Sequence, residues 1–208
     1  QAQWAPCFGV NVADLDGDGD QDVFVAQNFF DVEVEQSRHD AGRGLVLVND
    51  GKGVLSAMDA EGSGIRVYGE GRGSAVCDYD QDGRVDLVVS QNGGRTQLYR
   101  NVGARPGLRV RLTGPAGNRE GWGAQVRMEY EDGRMGPVHE ARAGSGYWSQ
   151  DSAVVVLGPT ENANAVEVLW PGGHRTRMKV TESVSGVVEP RIDANKRGEP
   201  RMDANGRE

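Results

Sequence analysis

Five aspartates fall within nine consecutive positions in DLDGDGDQD, residues 14–22, and the skeleton D-x-D-x-D-G-x-x-D returns in DYDQDGRVD, residues 78–86. Two carboxylates ~5 Å apart repel by ~3 kcal/mol at an effective dielectric of ~20. A chain that crowds them this way either leaves the segment unfolded or brings positive charge to it. The residues immediately C-terminal to each run argue against disorder. They are VFVA after the first and LVVS after the second, and apolar, β-branched runs of this kind read as buried strands. The two runs start at 14 and 78, and every Asp of the skeleton, the Gly and the trailing strand repeat in register.

The donor pattern suits a hard dication. Calcium takes about six to eight oxygen ligands from carboxylates, carbonyls and water. Asp at positions 1, 3 and 5 turns three side chains inward, Gly at position 6 allows a sharp reversal, position 7 offers its carbonyl and position 9 a last carboxylate. The first loop supplies Asp14, Asp16, Asp18, the carbonyl of Asp20, and Asp22. The second supplies Asp78, Asp80, Asp82, the carbonyl of Arg84, and Asp86. Two Ca2+ sites are therefore expected. An EF-hand needs Glu at position 12 and flanking helices; here position 12 is Val25 or Val89, within a strand. Magnesium demands stricter octahedral geometry, and zinc would need Cys or His ligands. The two loops hold nine of the 31 acidic residues, so two dications would halve the net charge of −8.

The 31 glycines exceed the usual ~7% share, which turn-rich β-proteins need and helical ones avoid. Short apolar runs alternate with Gly, Asn and Asp clusters, the pattern of an all-β chain. In the first unit FGVNVA, DVFVAQN, GLVLVND and VLSAM read as strands; in the second GSAVC, DLVVSQN and TQLYRN do. VAQN aligns with VSQN, and VLVND with QLYRN. Four strands per unit suggests propeller blades. SRHDAGRG (37–44) and EGSGIRVYGEGRG (61–73) read as polar connections.

Beyond residue 103 there is no third acidic loop. LRVRLTG and AQVRMEYEDG alternate, with Val126, Met128 and Tyr130 on one face, and PVHEARAG, AVVVLG, AVEVLW and RTRMKV add strands. EDG at 131–133 and WPGGH at 170–174 read as tight turns. This is a β-sandwich-like module. EPRIDANKRG and EPRMDANGRE then form a tandem repeat with too little apolar content to order itself. The expected organisation is two four-stranded blades over 1–103, a β-domain over 104–188 and a disordered tail over 189–208. Cys7 and Cys77 read either as small buried hydrophobes or as a disulfide between repeats.

The loop-and-strand units resemble FG-GAP (VCBS-type) repeats, the calcium-bearing blades of integrin α-type propellers. GWGAQVRM, EARAGSGYWSQDS and VEVLWPGG resemble the ASPIC/UnbV domain, which is found after such blades in cartilage acidic protein and its bacterial relatives. The resemblance implies a propeller of about seven blades, so the two here read as a fragment of a larger propeller, with remaining blades expected in a longer chain.

The expectation for function is a non-enzymatic, calcium-stabilised adhesion or recognition scaffold, extracellular, at the cell surface or periplasmic, with a protein or glycan partner. The resemblance carries a second class, an accessory or catalytic part in secondary metabolism of the enediyne type. A carbohydrate-binding module of a secreted enzyme is a third. No basic footprint points to nucleic acid, and no run approaches the ~18 apolar residues of a membrane span. Ser145 or Ser149, His139 and Asp151 can be assembled into a triad on paper, but no G-x-S-x-G elbow accompanies them. Tyr147 and Trp148 are expected to plug the sandwich core, the alternative being a loop that presents them to a partner.

Overall fold

The computed structural model describes residues 5–37 and 39–180 and the backbone of 191–193. Among these residues there is no helix, and so none long and apolar enough to cross a membrane. The first sheet is an antiparallel meander of β1 (Cys7–Ala13), β2 (Asp22–Gln27), β3 (Leu45–Asn49) and β4 (Leu55–Met58). The second contains β5 (Glu70–Cys77), β6 (Asp86–Asn92) and β7 (Gln97–Tyr99). Four strands are expected of each unit; the second sheet has three. After Tyr99 the chain commits Asn101 to the acidic loop and then leaves through Pro106, which has no N–H for a ladder.

The two sheets face each other across one core. Phe24, Ala26 and Val46 of the first meet Leu87 and Val89 of the second, and Ile65 and Val67 of the connecting segment fill the gap. Each acidic loop joins the first two strands of its sheet, β1 to β2 and β5 to β6. The repeat extends to an irregularity. The ladder slips between Cys7 and Val10 in β1 and between Gly71 and Ser74 in β5, the equivalent residues of the two units. Gly9 sits in the first slip, where a Cβ would lie 2.6 Å from Ser74 Oγ and 2.7 Å from the Arg72 carbonyl oxygen. Only glycine lets β1 and β5 approach this closely.

The remainder is a two-sheet sandwich. One sheet runs β10 (His139–Glu140), β9 (Gln125–Tyr130), β12 (Ala163–Leu169), β13 (Arg175–Lys179). The other runs β11 (Val154–Pro159), β8 (Gly107–Thr113), β14 (Arg191–Asp193), with β14 parallel to β8. Alternation decides which residues enter the core. Leu108, Val110 and Leu112 of β8 face Val126, Met128 and Tyr130 of β9 and Val166 and Val168 of β12. Both turns read from the sequence form: the Tyr130 N–H donates to the Arg134 carbonyl, and the Trp170 N–H to that of His174. Within the segment expected to be disordered, Arg191–Asp193 form strand β14; the other residues of 189–208 lie outside the described ones.

The sandwich is tied to the inner strands of both blades. Asp151 Oδ1 accepts from Asn11 Nδ2 of β1 (2.9 Å) and from the Val76 N–H of β5 (2.8 Å). The Ser152 N–H donates to the Val76 carbonyl at 2.9 Å. The two cysteines are not joined; Cys7 is exposed and Cys77 half-buried.

Candidate metal centre

Each acidic loop is organised first by its own backbone. In the first loop, Asp14 accepts from the Gly17 N–H at 2.7 Å and the Gly19 N–H at 2.9 Å. Asp16 and Asp18 each accept from the N–H two residues on. In the second, Asp78 accepts from the N–H groups of Asp82 (3.0 Å) and Gly83 (2.9 Å). The last Asp closes each loop. Asp22 accepts from the Leu15 and Asn49 N–H groups, both at 2.9 Å. Asp86 accepts from Tyr79 at 3.1 Å and Asn101 at 2.8 Å. Asp22 and Asp86 are fully buried, Asp14 and Asp78 nearly so.

Two features of the loops are not evident in the sequence. The first is an asparagine at the end of the third strand. Asn49 and Asn101 each donate their backbone N–H to the position-9 carboxylate and their Nδ2 to the position-8 carbonyl, of Gln21 and Val85 respectively. The alignment of VLVND with QLYRN is off by one residue. The ladders pair Val23 with Leu47 and Leu87 with Tyr99, which makes Asn49 the counterpart of Asn101. The recurring Asn is the signal that could have found them. The second is position 4, where the backbone is left-handed: Gly17 has φ +77 and Gln81 has φ +65.

Carboxylate oxygens of Asp14, Asp16 and Asp18 converge within 4.8 Å of one another, as do those of Asp78, Asp80 and Asp86. Asp22 and Asp82 stand beside these groups. Asp20 lies against Gly51, and Arg84 donates its Nε to the Ala104 carbonyl at 2.7 Å. Burial pushes Asp14 up to about 6 against the pull of the Gly17 and Gly19 N–H groups, and the charges of Asp18 and Asp16 push the same way. Burial also raises Asp16, where the charges of Asp22 and Asp18 add to it. Asp22 and Asp86 are raised by burial. Asp82 is the exception. Burial pushes it up, but hydrogen bonds from the Arg84 backbone and guanidinium and from Arg100 outweigh that and lower it. The first cluster has the oxygen-only donor set and uncompensated charge that suit a divalent cation.

Both loops press against the sandwich. A Cβ on Gly17 would lie 2.4 Å from the Arg105 backbone nitrogen, and one on Gly158 would lie 2.7 Å from the Gly19 Cα. The Gly107 N–H donates to the Gly83 carbonyl at 2.7 Å.

The paper triad does not assemble. Ser145, His139 and Asp151 line one cavity of about 370 Å³. Asp151 Oδ1, however, is taken by Asn11 and Val76, and its N–H donates to Ser145 Oγ at 2.6 Å. His139 Nδ1 faces the Gln21 amide at 3.5 Å, and burial lowers the ring to about 4. Tyr147 and Trp148 also depart from expectation. Trp148 is 92% exposed and Tyr147 38%, so neither fills the core. Trp170 does, with its Nε1 donating to Thr176 Oγ1 at 2.9 Å.

Residues 14–89 match the family model of the FG-GAP-like repeat, and residues 114–186 match that of ASPIC and UnbV. No curated protein matches the chain. The first match covers both acidic loops and the strands from β2 to the middle of β6, and the second covers β9 to β13 of the sandwich, so the chain carries a region matching the FG-GAP-like repeat followed by one matching ASPIC and UnbV.

Proposed function

We propose that this chain is a calcium-stabilised, non-enzymatic recognition scaffold working in an extracytoplasmic setting, where calcium is abundant enough for modest-affinity sites. The observation that carries the recognition role is an aromatic surface spanning the joint between the repeats and the sandwich. Trp148 stacks on Tyr147 with centroids 5.3 Å apart and planes 14° apart. Tyr147 meets Phe8 at 5.5 Å, and Phe8 meets Phe29 at 6.3 Å. The Arg72 guanidinium lies 4.2 Å from the Phe8 ring centre. Trp148 holds φ +49, a left-handed conformation unfavourable for a bulky residue, and such strain concentrates at binding sites. An exposed indole in a strained loop serves contact with a partner better than it serves folding.

Calcium fits as the stiffener of the platform. Asp14, Asp16 and Asp18 with the Asp20 carbonyl would hold it, which fixes the loop that braces Arg105 and Gly158. The same aromatic surface supports a carbohydrate partner, since ring faces stack on sugars.

The test is a binding screen of the whole chain in calcium buffer against glycan and extracellular-matrix protein arrays, with Tyr147→Ala and Trp148→Ala in parallel. Binding to one class that both variants lose supports the proposal. Catalytic turnover by the purified chain, lost in Asp16→Ala, would replace it with an enzymatic role.

A further inference from the structure

The two acidic loops share a backbone plan and differ in charge. In the second loop every carboxylate oxygen of Asp78, Asp80, Asp82 and Asp86 has a donor, and three of them face arginine. Arg109 Nε lies 2.7 Å from Asp78 Oδ2, and Arg100 Nε lies 2.5 Å from Asp80 Oδ2. Asp82 Oδ2 takes one Arg84 nitrogen at 2.9 Å and one from Arg100 at 3.3 Å.

Nothing comparable exists in the first loop. Among the described residues no Lys or Arg pairs with Asp14, Asp16, Asp18, Asp20 or Asp22, and the hydrogen bonds that Asp16 and Asp18 accept from backbone come from N–H groups within the loop. The difference is written into the repeat. Position 7 is Asp20 in the first unit and Arg84 in the second. The ladder pairings make Val48 the counterpart of Arg100. Arg109 lies on the face of β8 opposite its core residues, and it reaches the second loop.

We propose that the chain holds one divalent cation, at the first loop, and that Arg84, Arg100 and Arg109 close the second loop by supplying its positive charge. A dication entering the second loop would have to displace guanidinium groups already bound to its ligand oxygens, one of them buried. The first loop presents a cation with no such competitor. This rests on the reading of the chain as a calcium-stabilised scaffold and replaces the expectation of two equivalent sites.

The test is calorimetric titration of the chelator-stripped full chain with calcium chloride, with ions per chain counted by atomic emission after dialysis. One ion per chain is expected, lost in Asp16→Ala and equally in Asp18→Ala, whose side chain is more exposed, and kept in Asp80→Ala. Circular dichroism verifies the fold of each variant. Arg84→Gln combined with Arg100→Gln should raise the count above one. Two ions of similar affinity in the unmodified chain, a count unmoved by the paired arginine changes, or loss confined to Asp80→Ala would each overturn the inference while leaving the calcium scaffold standing. A folded chain that takes up no calcium at all would remove both.

Discussion

Arg109 and Asp78 form a buried ion pair across the boundary between the sandwich and the second sheet, Nε to Oδ2 at 2.7 Å, with side chains 6% and 1% exposed. Removing one partner of such a pair leaves the other charge buried and costs about 3–5 kcal/mol. Arg109→Met should therefore lower stability by about 3 kcal/mol or more in urea denaturation. The double change with Asp78→Asn should recover part of the loss, because no unpaired charge remains. A single variant as stable as the parent would show that the two surfaces are not clamped through this pair.

The first loop makes a prediction about pH. In the folded chain Asp14 titrates at about 6, above the ordinary 3.8 it has when unfolded, chiefly because it is buried. Between those two values the folded state binds more protons than the unfolded one, so stability without cation should rise as pH falls from about 7 toward 5. The full shift would correspond to ~3 kcal/mol, and screening by solvent at the loop rim reduces this to about 1–2 kcal/mol. Bound calcium competes for the same carboxylate and should flatten the trend. Thermal melts in chelator and in calcium between pH 7.5 and 5 measure both slopes. A chelated protein that loses stability steadily over that range would contradict the burial of Asp14.

The Asp spacing alone locates both loops, and the trailing apolar runs locate β2 and β6, because carboxylate spacing and period-two burial are local properties. The features hidden from the sequence depend on distant partners. Arg109 reads as the polar half of an alternating strand; only the docking of β8 onto the second loop gives it a role. Arg100 reads as the end of a strand, and a one-residue slip in matching the third strands conceals that it replaces Val48. The slip also hides Asn49 and Asn101, since their function is a hydrogen bond back across the sheet. Trp148 and Trp170 are equally apolar in sequence. Which one is buried depends on where the 144–149 loop meets β1 and β5, and no local pattern encodes that.

Position 4 of the loops offers a stabilising change. Gln81 is exposed and held at φ +65, where an L-residue pays about 1–2 kcal/mol. Gln81→Gly removes that strain at the cost of a looser unfolded chain. The net gain should be about 0.5–1 kcal/mol, or roughly 1–3 °C in Tm for a chain of this size. The reverse experiment at the equivalent site, Gly17→Ala, should be strongly destabilising. Besides its φ of +77, a Cβ there would meet the Arg105 backbone nitrogen at 2.4 Å, and backbone cannot step aside as a side chain can. A melt in which both variants shift Tm the same way would refute the left-handed assignment at this position.

The two tryptophans separate folding from recognition. Trp170 is 4% exposed, packs in the sandwich core and donates its indole N–H to Thr176, so Trp170→Ala should cost about 3–5 kcal/mol. Trp148 is 92% exposed, and among the described residues its ring contact is the stack on Tyr147. Trp148→Ala should leave stability within about 0.5 kcal/mol of the parent, as surface changes do. If the aromatic surface is where a partner sits, the same variant should lose binding at least tenfold, because exposed aromatics at an interface centre supply more than ~1.4 kcal/mol each. Parallel denaturation and binding curves decide it. Loss of stability without loss of binding in Trp148→Ala would return this residue to a structural role and leave the recognition surface elsewhere.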